Sequence, residues 1–405
     1  MSHMTEYDAI VAGAGPAGLA AACLLAQAGC KTVCISPDIT AEDTGSGPVR
    51  RTVALMQPAI RLLETIGVWP GELQTQCAPL KTLRIVDDTL ETFSAPTVTF
   101  SAGELGDREF GWNVPLGLLV DQLTGAAITA GVKLVRASVR GYAQNNGSAV
   151  VSLDSGEQIK SAAVIGADGR QSTLRRDAGI ATSEWQYDQI ALALSFCHSS
   201  NHHNTSVEYH KSSGPFTTVP LPGKSSSLVW MVTPEEAEDI KSLLMDQLAA
   251  RLQLEMHGDL GLVETATTPI AIPMTGLTAR KFAANRVFLV GEAAHVVPPI
   301  GAQGLNMSLR DAAFAAELIA DAIRLDEDPG SARNCNRYDE RRRGDVLPRQ
   351  AAVDVMNRSL TSQYFPMHIG RAIGMTAMQH IPPLKRRAML EGMNPTGSLP
   401  RAMRA

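Results

Sequence analysis

The chain has 405 residues, of which 44% are hydrophobic, and its 41 acidic and 36 basic residues give a net charge of −5. This length exceeds one ordinary hydrophobic core and predicts two or more lobes, while the negative charge excludes a general attraction to nucleic acid. The most apolar stretch, near residues 18–28, is far shorter than the roughly 20 residues that cross a bilayer, so we expect no transmembrane helix. The N-terminus lacks a basic-then-apolar signal pattern, and the six cysteines show no C-x-x-C pair. These features favour a cytoplasmic protein with free thiols.

A glycine-rich turn near the N-terminus is the first motif. Residues 7–11 indicate a short buried strand, residues 19–28 an alanine-rich helix, and residues 31–35 a second strand that completes a βαβ unit. The turn has G-x-G-x-x-G spacing and consists of Gly13, Gly15, Pro16, Ala17 and Gly18. In this pattern the first glycine permits a tight turn, the second lets the backbone approach a pyrophosphate, and the third allows close helix packing. The segment therefore predicts a dinucleotide site.

The end of the second strand is where such sites place an acidic residue on the ribose hydroxyls, about 20 residues after the glycines. Here the positions are Ser36 and, two residues further on, Asp38. A serine hydroxyl makes a weaker hydrogen bond than a carboxylate does. We therefore expect either weaker adenosine binding or help from Asp38.

A second strand–turn–helix segment covers residues 162–176, AAVIGADGRQSTLRR, with Asp168 at its tip. An aspartate at a strand end can cap the following helix, which explains an isolated Asp-Gly as well as a ligand contact does. The position of Asp168 between two other glycine motifs favours the ligand interpretation.

The segments between the motifs predict a sheet and a helix. Alternation of apolar and polar residues marks LKTLRIVDD, ETFSAPTVTF, IALALSF, TSVEYH, FTTVPLP and SSLVWMVT as strands of one antiparallel sheet. Residues 235–256 indicate one helix, whose apolar face consists of Leu243, Leu244, Leu248, Leu252 and Leu254. A polar loop and its flanks hold His198, His202, His203 and His210. We expect these histidines to be exposed and to bind no metal, because no cysteine or carboxylate completes a ligand set.

The most informative segment is residues 287–311, VFLVGEAAHVVPPIGAQGLNMSLRD. An apolar strand ends in Gly291-Glu292, a Pro-Pro loop follows, and a helix begins near Gly301 and Gly304. Helix N-termini expose unpaired N–H groups with roughly half a positive charge, so this loop can receive an electron-rich ring edge. A reducible flavin needs such a loop. For His295, inside the motif, we expect a capping or packing role rather than proton transfer.

The three motifs in this order resemble the group A flavoprotein aromatic-ring monooxygenases, and most closely the ubiquinone-biosynthesis hydroxylases of the UbiH/UbiF type. GAGPAG resembles the family's dinucleotide fingerprint, GADGRQSTLR its Asp-Gly motif, and GEAAHVVPPIGAQGLNMSLRDA its third FAD motif joined to the flavin-ring loop. RRTVAL, GPFTTVPLPG followed by SLVWMV, and YDERRRGD extend the likeness over nearly the whole chain.

The resemblance implies an α/β fold: a Rossmann-like FAD-binding domain of the GR2, or p-hydroxybenzoate-hydroxylase, type, an antiparallel-sheet substrate domain that roofs the flavin, and C-terminal helices. With the strand pattern it predicts a discontinuous FAD domain of residues 4–75, 108–180 and 274–335. The substrate domain is predicted at residues 76–107 and 181–273, and the helical region at residues 336–405.

Carried onto this sequence, the family pattern places the first glycines and Asp168 at the FAD pyrophosphate and the backbone of residues 304–306 at the flavin N1/C2 edge. The expected FAD-binding residues are Gly13, Gly15, Pro16, Ala17, Gly18, Ser36, Asp38, Arg50, Arg51, Gln122, Asp168, Gly291, Glu292, Pro299, Gly301, Gln303, Gly304, Leu305 and Asn306. Two positions depart from the family: Ser36 replaces a glutamate, and Glu292 replaces an aspartate. Both departures bear on the affinity for FAD.

The implied reaction is hydroxylation of an aromatic ring, with FAD as cofactor and NAD(P)H and O2 as co-substrates, on a small aromatic molecule such as a polyprenyl phenol of ubiquinone biosynthesis. No side chain is assigned as the catalytic base. Two alternatives stay open: another FAD oxidoreductase of this fold, or a non-catalytic FAD- or lipid-binding scaffold of a biosynthetic complex. The W-x-W-x-I-P signature of flavin-dependent halogenases is absent.

From Asp339 onward the sequence predicts helices rich in arginine and methionine, broken at Pro382-Pro383. The apolar positions of the segment 367–390 are Ile369, Ile373, Met375 and Met378, and a basic cluster of Lys385, Arg386 and Arg387 follows them. Either this helix packs on the FAD domain, or the cluster docks on anionic lipid at the inner face of the membrane while the methionines border an entry for a polyprenyl chain. Contact with other biosynthetic enzymes is a further expectation.

Overall fold

A computed structural model describes residues 5–38, 51–89, 95–145, 147–361, 365–393 and 399–404. The α-helices in these ranges are α1 (Pro16–Gln27), α2 (Gln57–Ile66), α3 (Gly71–Thr75), α4 (Leu116–Thr129), α5 (Thr173–Asp177), α6 (Pro234–Ser242), α7 (Met245–Glu255), α8 (Gln303–Arg324), α9 (Ala332–Thr361), α10 (Phe365–His380) and α11 (Pro382–Met393). The strands are β1 (Thr5–Ala12), β2 (Thr32–Ser36), β3 (Thr52–Met56), β4 (Ala78–Leu80), β5 (Thr82–Asp87), β6 (Val98–Ser101), β7 (Gly111–Pro115), β8 (Lys133–Arg136), β9 (Val139–Asn145), β10 (Ser148–Leu153), β11 (Gln158–Gly166), β12 (Thr182–His198), β13 (Thr205–Lys211), β14 (Gly214–Leu221), β15 (Ser225–Val232), β16 (Val263–Ala266), β17 (Ile270–Ala279), β18 (Ala283–Ala284), β19 (Val287–Leu289) and β20 (His295–Val296).

The first sheet brings the three sequence motifs to one edge. Its strand order is β18-β19-β11-β1-β2-β8, and β9 and β10 extend it from β11. Strands β19, β11, β1, β2 and β8 run parallel, so their carboxyl ends lie together. The register sets Ala12 beside Gly166, and Gly166 beside Leu289. Each motif begins where one of these strands ends.

Helix α1 packs between α8 and α4 against this sheet. Four of its buried residues, Ala17, Ala20, Ala21 and Ala22, have small side chains, which lets the helix approach the strands closely. The βαβ unit predicted from the sequence is therefore present, with strand and helix ends within a few residues of the predicted ones.

The second sheet has the order β20-β17-β12-β15-β14-β13-β5-β6, with β16 paired to β12. The predicted strands do form one sheet, but it is not wholly antiparallel, because β5 and β13 pair in parallel. One face packs on α6 and α7 through an apolar cluster that includes Tyr209, Phe216 and Trp230. The other face borders a large cavity. A small antiparallel sheet, β3-β7-β4, lies on the far side of that cavity.

The prediction of a single helix at residues 235–256 is wrong, because the segment forms two helices, α6 and α7. Thr233 caps α6 with a capping box, α6 ends at Ser242, and Leu243 adopts an extended backbone before α7 begins. The backbone N–H of Leu244 donates to the Gln247 side chain, which starts the new helix. As a result Leu244 and Leu254 are 67% and 70% exposed, whereas only Leu248 and Leu252 of the predicted face are buried.

The C-terminal region is helical as predicted, and its break falls at the predicted prolines. Helix α10 ends at His380 and α11 begins at Pro382, where the missing N–H of proline has no helical partner to lose. Met375 of α10 and Met389 of α11 are buried in one apolar cluster with Val98 and Phe100 of β6. No described helix is long and apolar enough to cross a membrane.

Candidate functional site

The first glycine turn has no room for a side chain at Gly13 or Gly18, but it has free space at Gly15. A Cβ on Gly13, whose φ is +108°, would lie 2.1 Å from the Ala167 carbonyl oxygen, and one on Gly18 would lie 2.0 Å from the Gly13 carbonyl oxygen. A Cβ on Gly15 would meet nothing within 4 Å. Pro16 and Ala17 begin α1 directly after Gly15, which provides no side-chain cap. The turn is thus closed toward the protein and open beside the N-terminus of α1.

The residues at the end of β2 provide fewer free polar groups for a ribose than the sequence pattern suggests. The Ser36 hydroxyl donates a 2.7 Å hydrogen bond to the Asp38 carbonyl oxygen, so its own proton is used inside the loop. Its oxygen still has acceptor capacity, but Ser36 is buried, whereas Asp38 is exposed. Arg50 lies outside the described residues, and the exposed Arg51 lines the cavity.

Asp168 does cap α5, the structural role considered beside ligand binding. Its Oδ1 accepts from the Ser172 hydroxyl at 2.5 Å and its Oδ2 from the Leu174 N–H at 3.1 Å. Arg175 of the same helix donates to the Ala293 carbonyl oxygen at 2.8 Å, so the second motif is tied to the third. Contact between Asp168 and a ligand stays a prediction.

Gln122 of α4 contacts a neighbouring helix. Its Nε2 is 3.5 Å from a carboxylate oxygen of Glu72 on α3, and it is not among the residues that line the cavity. Its contact with FAD also stays a prediction.

The third motif changes backbone direction twice. Gly291 has a φ of +62°, and the exposed Glu292 side chain lies 4.0 Å from the Arg170 Nε. Past Pro299, Gly301 and Ala302 both adopt left-handed backbone, with φ of +62° and +54°. Gly301 takes this conformation without strain, and Ala302 holds it as the N-cap of α8.

The first turn of α8 faces open space. Gln303, Gly304 and Leu305 line the cavity, and a Cβ on Gly304 would meet nothing within 4 Å. Asn306 ties the turn to β3: its side-chain amide donates to the Ala54 carbonyl oxygen at 2.8 Å, and its Oδ1 accepts from the Met56 N–H at 2.9 Å. The Asn306 side chain therefore fixes the loop, while the neighbouring backbone groups stay available.

A buried ion cluster supports this loop from behind. Asp311 of α8 accepts hydrogen bonds from Arg342 at 2.5 Å, from His295 at 2.7 Å and from the Gly291 N–H at 3.0 Å. The side chains of Asp311, Arg342 and His295 are each at most 1% exposed. Arg342 also bonds Asp345, which pairs with Arg310. Burial by itself raises the pKa of the Asp311 carboxyl, but Arg342 and His295 outweigh it and lower that pKa below its usual range. His295 is thus buried and bonded to Asp311, and its expected lack of a role in proton transfer stays a prediction.

The cavity has a volume of about 1220 Å³ and runs from the flavin-loop residues to the second sheet. Its walls are mainly apolar, with Leu83, Phe100 and Phe110 on one side and Met378 and Met389 from the C-terminal helices on another. Ser227 of β15 links the second sheet to the small sheet, since it accepts hydrogen bonds from Thr52 of β3 at 2.8 Å and from Asn113 of β7 at 3.0 Å.

The exposure expected for the histidines is wrong for three of the four. His198, His202 and His210 are at most 9% exposed. The rings of His198 and His202 bond neighbouring strands, and the ring of His210 bonds Glu208 of its own strand. In the described part of the chain no three potential ligands group as a metal site would require.

The sequence interpretation missed Glu208 as a site residue. It is buried on β13, lines the cavity and pairs with His210 at 2.8 Å. The alternation in TSVEYHK puts Ser206, Glu208 and His210 on one face of the strand, which was the available signal. The sequence did not predict the ion cluster around Arg342, although Arg342 lies in the segment YDERRRGD.

Comparison with known proteins agrees with this geometry. Residues 6–346 match a family described as FAD binding domain. The ubiquinone hydroxylase UbiL of Rhodospirillum rubrum is 30% identical over 397 residues, which cover 95% of this chain and 89% of the relative. The 3-demethoxyubiquinol 3-hydroxylase of Escherichia coli is 29% identical, with 96% and 98% covered. The solved p-nitrophenol 4-monooxygenase PnpA from Pseudomonas putida DLL-E4 has the same fold, with a TM-score of 0.75, 18% identity, and 96% of this chain and 98% of that chain covered.

The chain belongs to this FAD-binding family, and it is a flavoprotein monooxygenase with FAD as its cofactor. The α/β fold of the p-hydroxybenzoate-hydroxylase type and the likeness to the ubiquinone-biosynthesis hydroxylases are both confirmed. The residues present fit FAD: Gly15 leaves space at an N-terminus, α1 and α8 receive no side-chain cap from the described residues, and the cavity reaches the α8 end.

Proposed function

We propose that the protein hydroxylates the aromatic ring of a polyprenyl phenol in ubiquinone biosynthesis, with NAD(P)H and O2 as co-substrates. The observation that carries the proposal is the cavity. Its volume of about 1220 Å³ exceeds the roughly 300–1,000 Å³ of usual small-molecule sites, and its walls are largely apolar. A site of this size has room for a flavin ring, an aromatic ring and part of an apolar chain. The named activities of the two relatives support this substrate class.

FAD would be held along the edge where the three motifs meet. We assign its pyrophosphate to the opening at Gly15 and the N-terminus of α1, and its flavin edge to the backbone N–H groups of Gly304 and Leu305. Ser36 and Glu292 would face its ribose and ribitol hydroxyls. When bound, FAD supplies the redox chemistry that activates oxygen, which side chains cannot do unaided.

The protein's own residues orient and shield the substrate. Asn306 fixes the loop against β3, and the Thr52–Ser227–Asn113 hydrogen bonds hold the small sheet against the large one. The apolar walls exclude water from the ring, which strengthens polar interactions inside the site. The test is NAD(P)H consumption and oxygen-dependent mass gain with prenylated phenols. FAD binding with neither result would favour the scaffold interpretation.

In the C-terminal helices, only two of the three basic residues predicted to contact lipid are exposed and not paired with Glu104. Lys385 is not free, because it pairs with Glu104 at 2.8 Å, whereas Arg386 and Arg387 are exposed. Beside them Ile373, Ile381 and Leu384 are 64%, 48% and 44% exposed, and the side chain of Ile369 lies outside the described ones. We assign this apolar and basic surface to peripheral contact with anionic lipid at the inner face of the membrane, close to the cavity wall formed by Met378 and Met389.

Liposome co-sedimentation tests that contact. Two exposed arginines contribute about 2 kcal/mol at roughly 1 kcal/mol each, so Arg386→Ser with Arg387→Ser should weaken binding to anionic vesicles about thirtyfold. The control removes the same charge from the exposed Arg333 and Arg337 on α9. Equal loss in both double variants, or binding that does not respond to salt, would contradict the assignment. Contact with other biosynthetic enzymes has no residues assigned to it.

A further inference from the structure

We propose that Glu208 is a catalytic residue that binds the ring hydroxyl of the substrate and accepts its proton, and that His210 positions it. The inference rests on the proposed function, because it takes the substrate to be a phenol. It supplies the proton acceptor that the motifs leave unassigned.

The register of β13 puts both residues on the cavity side of the sheet. Glu208 pairs with Thr217 of β14 and with Ile85 of β5, and Ile85 and Thr217 line the cavity too. The intervening residue, Tyr209, points to the opposite face and packs on Phe216. Glu208 therefore stands on a sheet face whose other cavity-lining side chains are apolar or hydroxyl-bearing, as at Val219.

The bonding of the Glu208 carboxylate is incomplete. The residue is 6% exposed, and its Oε1 is 2.8 Å from the His210 Nε2. Among the described residues, its Oε2 has only a long contact of 3.5 Å, to the Thr217 hydroxyl. A buried carboxylate costs free energy unless its oxygens are well bonded. A phenol hydroxyl can fill the Oε2 position with a charge-assisted hydrogen bond, which is normally about 2.5–2.7 Å long.

Arg51 and Arg349 also line the cavity, but in the described part of the chain the one salt bridge of the Glu208 carboxylate is with His210. Lys211 pairs behind the sheet with Asp88 and Glu255, and Arg84 of β5 pairs there with Asp259. Asp87, beside His210 in the register, accepts from the Ala95 N–H at 3.0 Å. His210 is thus the group that orients Glu208, and its Nδ1 is buried without a partner among the described residues.

The position suits the reaction. Strands β12, β15, β14 and β13 are neighbours, so Glu208 lies about 14 Å, three strand spacings, from β12. On β12, Ala191 packs against Ile300 of the flavin loop. A substrate whose hydroxyl binds Glu208 would lie in the cavity between β13 and this loop, and both border that cavity. When the O–H bond breaks, the proton moves to the Glu208 carboxylate and the electron pair stays on the ring oxygen. The ring becomes more electron-rich, and no oxidant is consumed in this step.

The test is a comparison of two probes, 2-prenylphenol and its methyl ether, 2-prenylanisole, in calorimetric binding to the FAD-loaded protein. The ether has nearly the same shape but cannot donate. We expect the wild type to prefer the phenol, and Glu208→Gln to reduce that preference about tenfold, because a neutral acceptor replaces a charged one. His210→Gln should reduce it about threefold, and it replaces Glu208→Gln as the test if the latter does not fold.

Glu255→Gln is the matched control, since it removes a buried carboxylate of α7, the helix that packs on the opposite face of the same sheet. It should leave the preference unchanged. Equal loss for both probes in Glu208→Gln, or an unchanged preference, overturns the proposal even if the protein hydroxylates phenols. Conversely, loss of the preference in a protein that does not hydroxylate supports the role of Glu208 and refutes the proposed function.

Discussion

Replacing Asp311 with asparagine should destabilise the protein more than any change at a surface ion pair. The substitution removes the 2.5 Å carboxylate partner of Arg342, which is fully buried, and leaves only Asp345 to pair with it among the described residues. Breaking a buried pair in this way typically costs about 3–5 kcal/mol, because the remaining charge stays desolvated. The exposed Lys241–Glu238 pair provides the control, and Glu238→Gln should change the free energy of unfolding by less than about 0.5 kcal/mol.

Urea unfolding of both variants, and of Asp311→Asn combined with Arg342→Met, measures the effect. The double variant should recover part of the loss, because methionine removes the buried charge of Arg342 itself. The pH dependence has a defined sign. Since the pKa of Asp311 is lowered in the folded protein, its stabilising contribution is complete above about pH 4 and is lost as pH falls through the lower folded pKa. A loss below about 1 kcal/mol, or an acid dependence unchanged in Asp311→Asn, would refute this reasoning.

Three further predictions concern FAD. Gly304→Val should abolish flavin reduction or hydroxylation in a folded protein, because the new side chain enters open space at the loop, and unchanged turnover would contradict the assignment. Ser36→Glu should tighten FAD binding at least tenfold in titrations of stripped protein, since a charged acceptor adds about 1.5–3 kcal/mol; weaker binding would argue against a ribose contact there. Gly13→Ala should lower soluble yield and FAD content together, because its Cβ would lie 2.1 Å from a backbone oxygen, and normal yield would show that the turn can move.

The convergence of the three motifs could be predicted because each is a strand that ends in a turn. Parallel strands place their carboxyl ends at one edge, so Gly13, Asp168 and Gly291 follow strands that the fold must bring together. Local sequence carried this information. The left-handed backbone at Gly301 and Ala302, in contrast, could not be predicted, because nothing local in the sequence distinguishes these positions from Gly304.

The features that escaped prediction depend on contacts distant in sequence. The parallel pairing of β5 with β13 joins residues more than a hundred positions apart, and it follows from packing rather than from either strand's pattern. The burial of His198 and His202 has the same origin, since their partners, the Ser226 hydroxyl and the Leu221 carbonyl oxygen, lie on or at the end of neighbouring strands. The polar sequence around them indicated only a loop.

The face of β13 that carries Glu208 shows where sequence alone stops. Alternation in TSVEYHK separates Glu208 and His210 from Val207 and Tyr209, but it does not say which set is inside the cavity. The choice is made by α6 and α7, whose apolar side chains cover Val207 and Tyr209. A slip of one residue in the pairing of β13 with β14 would exchange the faces and bury the carboxylate among leucines. The apolar packing of Val207 and Tyr209 on α6 and α7 therefore stabilises the sheet and also places Glu208 and His210 on its cavity side.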